Sequence, residues 1–264
     1  MPKSKDKTGH DMQLSLLEVR NQKVVKSNDL IQKSRFQLSI QENKIILYLI
    51  SKIKPNDINF LTAKFNTNEF CKVCGIGKSG KNYQDIENAI KNLADKSIWI
   101  SLEDNKKTLL RWIDQATINE NNGTIQVKLH DLLKPYLLQL HNNFTQFELL
   151  YTLAMKSQYS VRLYEILRSY EYKHEVEFSI EELKELVNAK CYDKYTDFKR
   201  FVIEMALKEI NALSDINVSS EVFKNGRKYD RIRFTISLKR DLDDRFNTWK
   251  NIQQILDNKI AAEQ

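Results

Sequence analysis

Residues 195–238 read YTDFKRFVIEMALKEINALSDINVSSEVFKNGRKYDRIRFTISL. In the first half Phe198, Phe201, Val202, Met205, Ala206, Leu207, Ile210 and Leu213 recur at helical spacing, which predicts a long helix with a wide core face and Thr196 as its N-cap. The second half alternates as two strands, Ile216–Lys224 and Tyr229–Leu238. They are joined through Asn225-Gly226, a pair that tolerates the positive φ of a tight hairpin. In the second strand Ile232, Phe234, Ile236 and Leu238 point one way and Arg231, Arg233, Thr235 and Ser237 the other, so one face packs and the other carries guanidinium groups.

Reading upstream from this helix and hairpin, Ser179 with Glu182 forms a capping-box pattern, Glu175–Phe178 is a short strand and Tyr159–Tyr172 a helix. Helix, strand, helix, helix, hairpin is the order of a winged helix, in which the third helix is presented to DNA and the hairpin is the wing. The same order occurs earlier. Gln41–Lys52 is an amphipathic helix ended by Lys54-Pro55-Asn56-Asp57, and Ile58–Phe65 is a strand. Thr67 caps a short helix that stops at Gly75, and Tyr83, Ile86, Ala89, Ile90 and Leu93 stripe the next one. Ser97–Leu102, Thr108–Ile118 and Thr124–Leu129 then form a small antiparallel sheet. The fold class expected is therefore α+β, two tandem winged-helix domains rich in helix with small antiparallel wings. Residues 1–23 are a flexible basic arm, 24–143 the first domain and 144–240 the second, divided at the polar His141-Asn142-Asn143. In the tail, 241–264, Leu242, Phe246, Trp249, Ile252, Leu256 and Ile260 share one helical face, expected to dock on the second domain or to serve self-association.

Composition narrows the function. With only 6 Gly and 3 Pro in 264 residues, collagen-like and linker-like chains are excluded and glycine-rich catalytic loops disfavoured. The longest apolar run, Ile45–Ile50, is far short of the roughly 20 residues of a membrane helix. Residues 1–26 lack the apolar segment of a secretory signal, so a cytoplasmic protein without membrane contact is expected, its three cysteines reduced. The net charge is +7, and its distribution is uneven. Residues 194–233 hold nine Lys and Arg against six Asp and Glu, whereas 146–193 hold six against nine. A localised basic surface suits a phosphate backbone.

Several stretches resemble a known family. VVKSNDLI at 24–31, LSIQENKIILY at 38–48, QYSVRLYEIL at 158–167, and YTDFKR at 195–200 with Lys208-Glu209-Ile210-Asn211 and Gly226-Arg227-Lys228 are similar to plasmid replication initiators of the Rep_3 type. The resemblance implies a non-enzymatic protein that binds repeated sequences (iterons) in a plasmid origin as a monomer. It further implies origin opening with host initiator and helicase proteins, and repression of its own promoter as a dimer. A winged-helix transcriptional repressor without initiator activity is the alternative, and a nuclease or ATPase of replication a third. Against the third, Gly77-Lys78-Ser79 lacks the glycine that a phosphate loop needs five positions earlier, where Lys72 stands. His130 and His141 are isolated, and Cys71 and Cys74 have no second ligand pair, so they read as buried apolar thiols. No catalytic residue, metal or cofactor is expected.

Most Lys and Arg side chains are simply solvated. Lys199 and Arg200 stand out because they lie at the start of the presumed recognition helix, with Arg200 suited to a bidentate guanine contact. Lys194 and Thr196 are candidate phosphate ligands. Lys224, Arg227 and Lys228 ring the wing tip, and Arg231 follows on the outward face of its second strand. In the first domain Lys81 and Asn82 occupy the equivalent helix, and Lys106 and Lys107 the equivalent wing.

Overall fold

The computed structural model describes residues 15–54, 56–60, 62–76 and 80–262. Gly77-Lys78-Ser79 and residues 1–14 of the expected arm lie outside the described residues. The remainder of that arm is not free, which corrects the expectation for 1–23. Residues 15–20 form helix α1, and strand β1 (Lys23–Ser27), helix α2 (Asn28–Gln32) and strand β2 (Ser34–Arg35) follow at once. Arg20 is fully buried, donating from Nε to the Val73 carbonyl at 3.0 Å and from Nη2 to the Lys72 carbonyl at 2.9 Å. These carbonyls belong to the last turn of a helix, where acceptor capacity is left over, so the guanidinium fork is anchored there.

The first unit is built on α3 (Ile40–Ser51), opened by a capping box in which Glu42 accepts from the Ser39 N–H at 2.7 Å and Ser39 Oγ accepts from the Glu42 N–H at 3.3 Å. Every residue from Glu42 to Ser51 is buried, so the expected amphipathic helix is in fact a central one. Six consecutive apolar residues cannot share one face. Then come β3 (Ala63–Asn66), α4 (Thr67–Cys74), α5 (Gly80–Asp95), β4 (Ser97–Ser101), β5 (Lys107–Arg111), β6 (Ile113–Asn119) and β7 (Thr124–Leu129). The cap of α4 is Asn66 and not Thr67, since Asn66 Oδ1 accepts from the Asn68 N–H at 2.9 Å. The strand expected over Thr108–Ile118 is split at Trp112, whose buried indole meets the Phe36 ring edge-on at 5.1 Å. The split yields two sheets, β2-β4-β5 and β3-β7-β6, in place of one.

Next are α6 (Lys134–Leu137), β8 (Phe144–Glu148) and α7 (Leu150–Leu153), then the second unit: α8 (Gln158–Ser169), β9 (Glu175–Ser179), α9 (Ile180–Leu186), α10 (Tyr195–Phe198), a π-helical segment (Lys199–Glu204), α11 (Met205–Leu213), β10 (Ile216–Asn225) and β11 (Lys228–Leu238). Its sheet has the order β10-β11-β9. In both units the strand after the first helix pairs with the second strand of the later hairpin, β3 with β7 and β9 with β11. The duplication is thus written in the hydrogen-bond ladder. The break at 141–143 is not where contacts end, however: β1 pairs antiparallel with β8, Lys23 opposite Glu148 and Ser27 opposite Phe144. One buried apolar cluster continues through both units.

The tail helix α12 (Leu242–Ala262) buries Ile252 and Leu256 completely, while Leu242 and Phe246 remain exposed. It packs on α11, as expected for docking on the second unit, and touches the first unit as well. Leu256 lies against Gly75, and Asp257 is 3.1 Å from Arg20 Nη1.

Near this junction Lys44 on α3 is almost entirely enclosed, and burial pushes its ammonium down to about 8, outweighing Cys74 and Glu209, which raise it, while Lys259 lowers it further. Below pH 8 the folded chain therefore carries a buried charge that the unfolded chain keeps in water. Between about pH 8 and the ordinary lysine value near 10.4 the unfolded state binds more protons, so stability rises with pH. Lys44→Met should stabilise the protein at pH 7 by about 1–3 kcal/mol and flatten that rise. Urea unfolding at pH 7 and pH 10 checks both, and equal pH dependence in the two proteins would contradict it.

Candidate nucleic-acid interface

The run from α10 through the π segment to α11 is continuous, and its beginning is exposed. The cap is the extended backbone of Lys194, so Thr196, expected as the cap, sits inside the first turn. Lys194, Thr196, Lys199 and Arg200 are all exposed, with Phe198 buried beneath them. Lys199 Nζ lies 3.5 Å from Glu204, five residues on, a spacing that a π turn brings together. Phe201 and Met205, expected in the core, are each 45% exposed, and Val202 and Ile203 are buried. The buried row Phe198, Val202, Ala206 and Ile210 steps by four, which leaves Phe201 off its face.

The wing turn is Gly226-Arg227, with Asn225 still paired to Lys228 in the ladder. Of the expected Asn225-Gly226 pair only Gly226 takes positive φ, 61°. Lys224, Arg227 and Lys228 are exposed around the tip. What joins tip and helix is an aromatic stack that the candidate residues did not include. Tyr195 at the helix start lies on Tyr229 of β11, with ring centroids 4.0 Å apart and planes 25° from parallel, and Lys224 Nζ sits 4.6 Å from the Tyr229 ring. Both tyrosines read in sequence as ordinary packing residues. Each has a lysine directly before it, but only the fold puts the two Lys-Tyr pairs side by side.

Arg231 is held differently. Its Nη1 donates to Glu177 at 2.7 Å and its Nε to Asp230 at 3.2 Å, and Arg233 donates to the other Glu177 oxygen at 3.3 Å. These pairs raise the Arg231 pKa, the Glu177 hydrogen bond foremost, and direct its charge along the sheet toward β9 and away from the wing tip.

In the first unit Lys81 is exposed and Asn82 half-buried in the first turn of α5. Lys106 and Lys107 are not on the matching wing, which corrects that expectation. By pairing, the wing is the β6–β7 hairpin, whose turn Asn121-Asn122-Gly123 carries no cation. It is tied to the start of α4, since Asn66 Nδ2 donates to Asn122 O, and the backbone N–H and Oγ1 of Thr67 both donate to Gly123 O, each at 2.9 Å. Lys106 and Lys107 belong to the inserted β4–β5 hairpin. Lys106 lies 3.6 Å from Asp104, and Lys107 lines a cleft with Arg35, Trp99, Glu185 and Lys190. Among the described residues no three His, Cys, Asp or Glu are grouped to hold a metal ion, and no helix is long and apolar enough to cross a membrane. Cys71 and Cys74 are buried thiols, and burial pushes Cys74 up to about 12.

Comparison with known families agrees with this geometry. The family described as initiator replication protein, first winged-helix module, matches residues 23–168, and the second module of initiator Rep proteins matches 179–236. The chain belongs to this family of replication initiators. The first match runs past residue 143 into α8. Over 152 residues the chain is 30% identical to the PI protein of Escherichia coli, a match covering 50% of this chain and 49% of that protein. It thus spans about half the length of that curated relative. A solved structure of Pi initiator protein in complex with iteron DNA superposes with a TM-score of 0.69 at 21% identity, covering 84% of this chain and 99% of that one. That likeness is one of fold.

Proposed function

We propose that this chain binds iterons of a plasmid origin sequence-specifically and thereby starts plasmid replication. The observation that carries the proposal is the Tyr195–Tyr229–Lys224 stack, which holds the cationic helix start and the cationic wing tip as one surface. A helix start that meets base edges and a wing that meets phosphate need a fixed mutual geometry to read one register of duplex. The related Pi protein, solved with iteron DNA, supports the same class of ligand. In this reading Arg200 and Lys199 face base edges, Lys194, Thr196, Lys224, Arg227 and Lys228 hold phosphates, and Lys81 and Asn82 of the first unit add a second contact. Origin opening, recruitment of host initiator and helicase proteins, autorepression as a dimer and a cytoplasmic location belong to the proposal through family membership.

Two arginines separate the roles. Arg200→Ala should cost about 1–3 kcal/mol on the preferred duplex and relax the preference at one base pair. Arg227→Ala should weaken preferred and altered duplexes alike and make the log–log salt slope, expected to be steeper than about −4, shallower by about one. Titrations on a panel of single-base variants at several salt concentrations measure both. Equal affinity of the parent protein for random and origin duplexes would remove the proposed function. An exchange of the two mutant phenotypes would reverse the assignments of helix and wing.

A further inference from the structure

The helix that runs from α10 to α11 carries a half-exposed apolar surface beside its cationic start. Phe201 and Met205, one turn apart, are each 45% exposed on a helix whose opposite face, from Phe198 through Val202, Ala206 and Ile210 to Leu213, is buried. Phe201 is not loose. Its ring stacks on Tyr192 at 6.2 Å with planes 24° apart, and the Arg200 guanidinium lies 5.2 Å from its centroid. An aromatic side chain ordered before its ligand arrives loses less freedom on binding.

The surroundings decide what this ring meets. The Arg200 guanidinium lies over the ring, Lys194 and Lys199 are exposed on the same helix start, and the stacked tyrosines bring Lys224 and Lys228 to that end of the helix. Of the acidic residues one turn from Phe201, Asp197 is exposed and Glu204 lies 3.5 Å from Lys199. An aromatic ring with a guanidinium on its face, at the cationic end of a helix, suits a polyanion that offers one apolar group. The major groove of duplex DNA does this, because among its base-edge groups only the C5-methyl of thymine is apolar.

Resting on the function proposed above, we infer that Phe201 is a specificity-determining residue that recognises a thymine by covering its C5-methyl in the major groove. The contact is available because the buried row Phe198, Val202, Ala206 and Ile210 steps by four and leaves Phe201 off its face.

The test removes the methyl and the ring separately. The full-length protein first selects its preferred duplex from a random-sequence pool, and each thymine of that duplex is then replaced singly by deoxyuridine. Loss of one buried methyl should weaken the parent protein about fourfold at one position. Phe201→Ala should bind the thymine and deoxyuridine forms of that position equally, Phe201→Leu should keep part of the difference, and Met205→Ala should keep all of it. Thermal unfolding of each variant alongside the parent shows that the fold is retained. Indifference of the parent protein to deoxyuridine at every position overturns the inference while leaving DNA binding intact. So does discrimination that survives Phe201→Ala or disappears with Met205→Ala, or a Phe201→Ala protein that binds every duplex as the parent does, as it would if this face covered a protein partner. Failure to select any sequence overturns the functional reading itself, and the inference with it.

Discussion

Glu165→Ala is expected to lower the stability of the folded chain by about 3–5 kcal/mol, read as a fall in the urea midpoint at unchanged slope. Glu165 and Lys26 form an ion pair in which both side chains are almost fully enclosed, and Arg162 Nη1 lies 3.8 Å from the other Glu165 oxygen. Arg162 cannot withdraw easily, because its Nη2 donates to the carbonyls of Ile31 at 2.8 Å and Ser34 at 3.0 Å, and its Nε to that of Leu186 at 3.1 Å. Removing the carboxylate leaves two buried cations facing each other. Burial already lowers the Lys26 pKa, and Glu165 is the chief influence raising it again. In the variant Lys26 should therefore release its proton more readily on folding, so the lost stability should return in part as the pH rises toward the lysine range. The double variant Lys26→Met with Glu165→Leu should recover most of the loss, since an apolar pair of similar volume removes the unpaired charge. A loss below about 1 kcal/mol for Glu165→Ala would mean that water reaches the pair and that it contributes as a surface pair does.

Gly75→Ala is expected to cost about 2–5 kcal/mol, the sum of left-handed backbone strain and overpacking. Gly75 closes α4 at φ 63°, and a Cβ there would come within 2.9 Å of the Leu256 Cα and carbonyl oxygen. Those are backbone atoms of α12, so relief requires the whole helix to move, and with it the fully buried Ile252 and Leu256. Gly226→Ala supplies the control. Gly226 has nearly the same φ, 61°, but a Cβ there meets nothing within 4 Å. It should cost only the backbone strain of about 1–2 kcal/mol. If thermal or urea unfolding shows equal losses for the two substitutions, α12 is not seated on the first unit as described.

The contrast between these two glycines shows how far the chain could be read before folding. Gly226 was legible because its role is local, a tight turn between two alternating strands. Gly75 was legible as a helix stop, but its approach to Leu256 joins positions far apart in the chain. The buried Glu165, Lys26 and Arg162 lie in stretches similar to the family, yet nothing in their spacing marks them as partners. Arg20 and the rest of 15–20 read as part of a free arm because a helix this short gains its stability from what it packs on.

The candidate interface divides along the same line. Lys199, Arg200 and the wing-tip residues were recognisable because a helix feeding a hairpin places them by local geometry alone. Lys106 and Lys107 were misplaced, since three successive strands of similar character do not say which of them pair. Strand pairing is a non-local choice, made by burial of Trp112 against Phe36 and by the ladder from β3 to β7.

Composition, periodicity and turn chemistry were therefore enough to settle the α+β class, the duplicated helix–strand–helix–helix–hairpin order and the basic character of the second unit's exposed end. These follow from interactions between residues within a few positions of one another. Tertiary structure alone settled the joining of the units through β1 and β8, the seating of the tail on both of them, the Tyr195–Tyr229 stack and the exposure of Phe201. Each of these depends on which distant surfaces meet, and a π turn in particular is kept only when the core on one side and the exposed face on the other favour it over the α-helix that the same residues would form alone.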